Sequence, residues 1–135
     1  DALALWGQTR YTTIKGLEGS CDLPRDRTAI IGTYQASPDL ARILLNARDF
    51  DLNGPEIPYR SLENWTDSAQ QALKGQESSE LYPAILWNSG FYLSHLGLAS
   101  TVAEGIERAK TLLHQGKVAA HLATLQQQVA HLESD

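Results

Sequence analysis

Residues 80–96 read ELYPAILWNSGFYLSHL, a helix with apolar groups on nearly every side. Pro83 falls in its first turn, where a missing N–H is tolerated, and Gly97 ends it. Leu81, Ala84, Ile85, Leu86, Trp87, Phe91, Tyr92, Leu93 and Leu96 leave little of the surface polar. Such a helix must be buried. Asn88 and Ser89 interrupt it, and buried polar groups need partners. Asn88 is expected to bond the backbone of a neighbouring loop.

The rest of the second half also reads as helix. Residues 62–74 form one, ended by Gly75. Thr101-Val102-Ala103-Glu104 is a capping box. It opens a helix with an apolar stripe of Val102, Ile106, Ala109, Leu112 and Leu113, stopped by Gly116. The last helix carries Val118, Leu122, Leu125, Val129 and Leu132 at spacings of four and three. This narrow stripe is expected to pack on the preceding helix, with a short coiled coil to another chain as the alternative.

The first half reads as strands. Arg10 to Ile14 and Arg27 to Tyr34 are rich in Thr, Tyr and Ile. Residues 37–50 are ambiguous. Ser37 as N-cap, Pro38 at the first helical position and Leu40, Ile43, Leu44 and Ala47 fit a helix. Ile43-Leu44-Leu45 equally fits a short buried strand. Asn53-Gly54-Pro55 and Pro58 then break any element. Two or three strands followed by four helices predict an α/β fold.

At 135 residues one domain is expected. The net charge is −5, with seven Lys/Arg against eight Asp/Glu up to residue 60 and four against eight beyond it. No basic tail points to nucleic acid, although Arg25 and Arg27 leave room for a local basic patch. A single cysteine forms no internal disulfide, so a reducing, cytoplasmic compartment is expected. No membrane span or signal-peptide pattern is present, and the Asn64-Trp65-Thr66 sequon is read as chance. The chain has no methionine, even at position 1. Asp1 to Trp6 is helix-forming and Gly7 suits a C-cap, a helix end without its beginning. A fragment of a larger protein is the expectation, and a trimmed natural N-terminus the alternative.

Between the first two strands lies KGLEGSCDLPRDR, residues 15–27. Gly16 and Gly19 permit close approach of a ligand to the backbone. A curled loop would bring Glu18 and Asp22 to one hard cation such as Mg²⁺, and Lys15 would contact phosphate as a point charge. The competing reading is a solvated turn with local ion pairs. Cys21 lacks an activating base: Asp22 beside it opposes thiolate formation, and no histidine precedes His95. His95, His114, His121 and His131 show no i, i+4 pairing of a zinc site, so surface or helix-end roles are expected.

The order of these features resembles the C-terminal part of the anthranilate phosphoribosyltransferases, in the glycosyltransferase family 3 group. There a strand runs into a loop of the type His-Gly-x-Asp-Gly-Leu-Asp-Glu, matched here by Lys15, Gly16, Leu17, Glu18, Gly19, Ser20, Cys21 and Asp22. Asn88, Glu104-Gly105 and Gly116 to Leu122 fit the family's closing helices. The resemblance covers almost the whole chain. It implies that residues 1–135 are the C-terminal portion of a mixed-sheet α/β domain, without the N-terminal helical domain and glycine-rich loop. It makes residues 41–46 a strand, with Arg48-Asp49-Phe50 in the following turn.

It also implies Mg²⁺-dependent transfer of phosphoribosyl from phosphoribosyl pyrophosphate to anthranilate or a related aromatic acceptor, in tryptophan synthesis. Lys15, Gly16, Gly19 and Ser20 would then contact substrate phosphate, and Asp22 and Glu18 the metal. The fragment would be inactive alone, needing the rest of its chain, with a homodimer expected of the full-length protein. Two departures stand out. The family's paired metal acids fall on Cys21 and Asp22, and its His becomes Lys15. The alternative is therefore a non-catalytic paralogue that binds nucleic acid through Lys15, Arg25 and Arg27. A structural fragment without activity is the third reading.

Overall fold

The computed structural model describes residues 7, 10–16, 20–35 and 41–132. Ser37, Pro38 and the helix expected before Gly7 lie outside the described residues. Three strands are followed by four α-helices, as the α/β reading expects. The chain divides into two compact units, residues 1–56 and 57–135, each described by itself below.

The first unit is a three-stranded antiparallel sheet in the order β1-β2-β3. Strand β1 is Arg10–Ile14, β2 is Ala29–Gln35 and β3 is Ala41–Leu45. The register places Tyr11 opposite Tyr34 and Ile14 opposite Ile31. The two tyrosine rings stack with centroids 4.9 Å apart, a cross-strand pair of the kind that stabilises a sheet. On the other side Ile31 meets Ile43 and Ala29 meets Leu45. Residues 41–45 are thus a strand, and the helical alternative for them is set aside. The helical spacing arose because Ala47 begins a separate element, a 3-10 helix over Ala47–Phe50, where the resemblance expected a turn. Leu23, Pro24, Ala29, Ile31 and Ala47 are buried. Strand β2 begins at Ala29 rather than Arg27, whose side chain is engaged in the loop.

The second unit holds helices α1 (Leu62–Leu73), α2 (Tyr82–His95), α3 (Val102–His114) and α4 (Lys117–Leu132). Gly75, Gly97 and Gly116 follow three of them with positive φ, as C-terminal stops do. Ser61 and Thr101 cap α1 and α3 by accepting from Asn64 N and Glu104 N. Helices α2 and α3 make the most extensive pairing in the unit. Gly90 and Gly105 lie at their crossing, where any Cβ would overlap the opposing helix. The glycine of the Glu104-Gly105 motif is therefore a packing residue.

Trp87 is fully buried, with Tyr82, Leu86, Phe91, Ile106, Ala109 and Leu113 also in the core. Asn88 donates from Nδ2 to the Ala84 carbonyl, one turn back in its own helix. Ser79, also buried, donates to Ser68 O at 2.7 Å and accepts from Leu81 N at 3.3 Å. It thereby ties α1 to the start of α2. At the other end of α3, His114 Nε2 lies 3.1 Å from Tyr82 Oη and 3.2 Å from Glu77 Oε1. His95 stacks on Phe91. Both are in the last turns of their helices, as read from sequence.

Helix α4 packs on the preceding helix as expected, but only along part of its stripe. It contacts α3 and α1, and Val118 and Leu122 are half-buried. Leu125, Val129 and Leu132 on the same stripe are 44%, 54% and 76% exposed. Only the first half of the stripe packs within the chain. Among the described residues, no helix is long and apolar enough to cross a membrane.

Candidate functional site

The antiparallel register gathers the candidate residues at one end of the sheet. Strand β1 leaves it at Ile14, β2 enters it at Ala29 and β3 leaves it opposite Ala29 at Leu45. Residues 15–28 and 46–56 therefore start from the same end. Lys15 extends the β1 ladder, donating its N–H to Ile30 O at 3.0 Å.

The chain then folds back on Gly16. A Cβ there would overlap the Ser20 carbonyl and reach within 3.0 Å of the Asp22 carbonyl. Only glycine permits this contact without displacing the loop. At Ser20 the hydroxyl accepts from Asp22 N and donates to Asp22 Oδ2, both at 2.8 Å. This local turn fixes the Asp22 carboxylate, which is exposed, beside the Ser20 hydroxyl. Cys21 between them is also exposed. The structure thus brings Gly16, Ser20 and Asp22 together; Glu18 and Gly19 lie outside the described residues.

Of the two acids expected to hold a metal, Asp22 falls among the described residues, and Cys21 beside it puts a thiol where the resemblance expects another acid. A thiol is a poor ligand for Mg²⁺. Among the described residues, no group of three His, Cys, Asp or Glu side chains is placed to hold a metal ion.

The two arginines of the loop are held in place. Arg25 donates from Nε to Leu52 O at 2.8 Å and from Nη2 to Asn53 O at 3.5 Å. Its own carbonyl accepts from Gly54 N. A Cβ on Gly54 would lie 2.6 Å from Arg25 Nη2, so glycine lets the 52–54 backbone lie against the guanidinium. Asn46 caps the preceding 3-10 helix by accepting from Arg48 N, and Asp51 ends it in the left-handed region at φ 56. That turn delivers the carbonyls that Arg25 binds. Burial pulls the Arg25 pKa below its ordinary value. Arg27 donates from Nη1 to Asp26 and to Glu56 Oε1.

The basic residues fall into two clefts. Lys15 shares one with Arg42, lined also by Thr13, Ile14 and Gly32. Arg25 and Arg27 share the other with Arg48. Sequence reasoning missed Arg42 and Arg48. The β2–β3 register was the missing signal, since it carries Asn46 to the sheet end where Thr28 lies.

No protein-family model matches this chain, and no curated protein matches it.

Proposed function

We propose that this chain is part of an anthranilate phosphoribosyltransferase-like glycosyltransferase. It would move phosphoribosyl from phosphoribosyl pyrophosphate to anthranilate or a related aromatic acceptor. One observation carries the reading: the loop after β1 folds back at Gly16 and holds Asp22 beside Ser20. This is the position at which the resemblance expects the metal-bearing loop. In this reading Lys15, Gly16, Gly19 and Ser20 contact the pyrophosphate, and Asp22 with Glu18 holds Mg²⁺. A metal there would offset charge on the leaving group. The setting would be cytoplasmic.

The test is isothermal titration of the full-length protein with phosphoribosyl pyrophosphate and Mg²⁺. Saturable heat that is lost in Asp22→Asn supports the reading. No heat at millimolar ligand removes it.

Cys21 at the place of the second metal acid favours a second reading, a non-catalytic paralogue that binds nucleic acid. Lys15 and Arg27, both exposed, would contact phosphates without a metal. Arg25 also belongs to that set, but its bonds to Leu52 and Asn53 make it a poor probe. Unchanged affinity for single-stranded DNA in Lys15→Ala/Arg27→Ala would count against this reading.

A further inference from the structure

Three arginines meet at one cleft of a chain whose net charge is −5. Arg25, Arg27, Arg48, Asp26, Asn46 and Asn53 are among the residues that line it, and its volume is about 530 Å³. Among the described residues that line it, Asp26 is the one carboxylate. Asp26 and Glu56 pair with Arg27, whereas Arg25 and Arg48 have no carboxylate partner among the described residues.

The donors at this cleft are only partly used. Arg25 spends Nε and Nη2 on the Leu52 and Asn53 carbonyls, which leaves Nη1. The side-chain bonds of Arg27 all leave from Nη1, so Nη2 and Nε remain. Arg48 bonds through its backbone N–H to Asn46 Oδ1, and among the described residues its guanidinium has no hydrogen-bond or ion-pair partner. Each guanidinium offers a planar fork of N–H groups.

We infer that this cleft binds a phosphate group. A planar carboxylate presents two oxygens and is satisfied by one fork. A tetrahedral phosphate presents three or four, and so answers several forks that approach from different directions. Arg25 is already rigid: two carbonyls and the Gly54 backbone hold it. Arg27 is braced by Asp26 and Glu56. Arg48 is exposed and is the group that closes on the ligand. Neither a metal nor Cys21 is needed, so the inference does not rest on the transfer reaction; its phosphodiester arm rests on the nucleic-acid reading above, to which it adds Arg48. The phosphate comes either from a small phosphomonoester or from the phosphodiester backbone of a nucleic acid.

The experiment uses the whole chain in EDTA, without Mg²⁺. Inorganic phosphate, ribose 5-phosphate and an oligothymidylate are titrated in turn, read by calorimetry and by the arginine Nε–H resonances. Saturable binding that shifts the Arg25, Arg27 and Arg48 resonances is expected. Arg48→Gln should weaken it roughly tenfold, as loss of one charge-assisted contact does, with the melting midpoint unchanged. Tighter binding of ribose 5-phosphate identifies a phosphomonoester site. Tighter binding of the oligonucleotide, with a steep salt dependence, identifies a phosphodiester site. Absence of saturable binding by all three, or equal affinity in Arg48→Gln, overturns the inference. Loss of the phosphoribosyl pyrophosphate heat with phosphate binding intact would remove the transfer reading alone.

Discussion

Gly105 of α3 lies directly against the Gly90 carbonyl of α2, with no side chain between the two backbones. A Cβ on Gly105 would overlap that oxygen, and one on Gly90 would overlap Ile106. Both obstacles include helix backbone, which cannot swing aside as a flexible side chain can. Gly105→Ala should therefore lower stability by about 1–3 kcal/mol, the usual cost of overpacking, despite alanine's better helix propensity. Urea denaturation measures it. An unchanged midpoint would mean that the two helices separate without cost.

Glu104 gives the α3 terminus a pH dependence. Its carboxylate accepts from Ser100 N at 2.8 Å. That backbone bond, with the Ser100 side chain and the nearby Arg108 adding to it, holds the Glu104 pKa below its ordinary 4.5. A lowered folded value means that the unfolded chain binds the proton more readily. The stabilisation is complete above the ordinary value and is lost as pH falls through the lowered one. Melting curves of the wild type and Glu104→Gln should differ at neutral pH and converge in acid. A difference that does not depend on pH would contradict this.

Removal of the Ser79 hydroxyl leaves the buried Leu81 N without its acceptor and takes from Ser68 O the bond it accepts in addition to its helix bond. Ser79→Ala should cost about 1–3 kcal/mol, the penalty for unsatisfied buried polar groups. Hydrogen exchange should quicken at Leu81, since its N–H loses the oxygen it is bonded to. Retained protection at Leu81 would show that another acceptor takes over.

Gly16→Ala tests the loop rather than the core. The added methyl group would push against the Ser20 carbonyl and open the turn that holds Asp22. If the transfer reading holds, affinity for phosphoribosyl pyrophosphate with Mg²⁺ should fall by about tenfold or more, roughly the worth of one charge-assisted contact. The urea midpoint should move less than in Gly105→Ala. Unchanged affinity would separate this loop from the ligand.

Caps and glycine stops were the most legible features. Thr101 and Glu104 marked the start of α3, and Gly75, Gly97 and Gly116 marked three ends, because capping chemistry is local. Residues 37–50 were ambiguous because two elements lie end to end: Ile43 and Leu44 belong to β3, while Ala47 belongs to the 3-10 helix. Their combined spacing imitates a helix. The stripe on α4 was visible, but where it stops packing depends on the reach of α1 and α3, which periodicity does not encode. At the candidate site Gly16, Ser20 and Asp22 could be picked out from sequence. The association of Arg48 with Arg25 and Arg27 could not, because strand register creates it.

The way each unit is connected has a kinetic consequence. In the sheet, β1 pairs with β2 and β2 with β3. In the helical unit, α1–α2, α2–α3 and α3–α4 are contacts between consecutive elements. Short sequence separations make for fast folding, because little loop entropy is lost before a contact forms. The α1–α4 contact is the exception, since it joins the two ends of the helical unit. It is the step for which the chain must close its longest loop there, and the docking of α4 should set the pace at which that unit completes its fold.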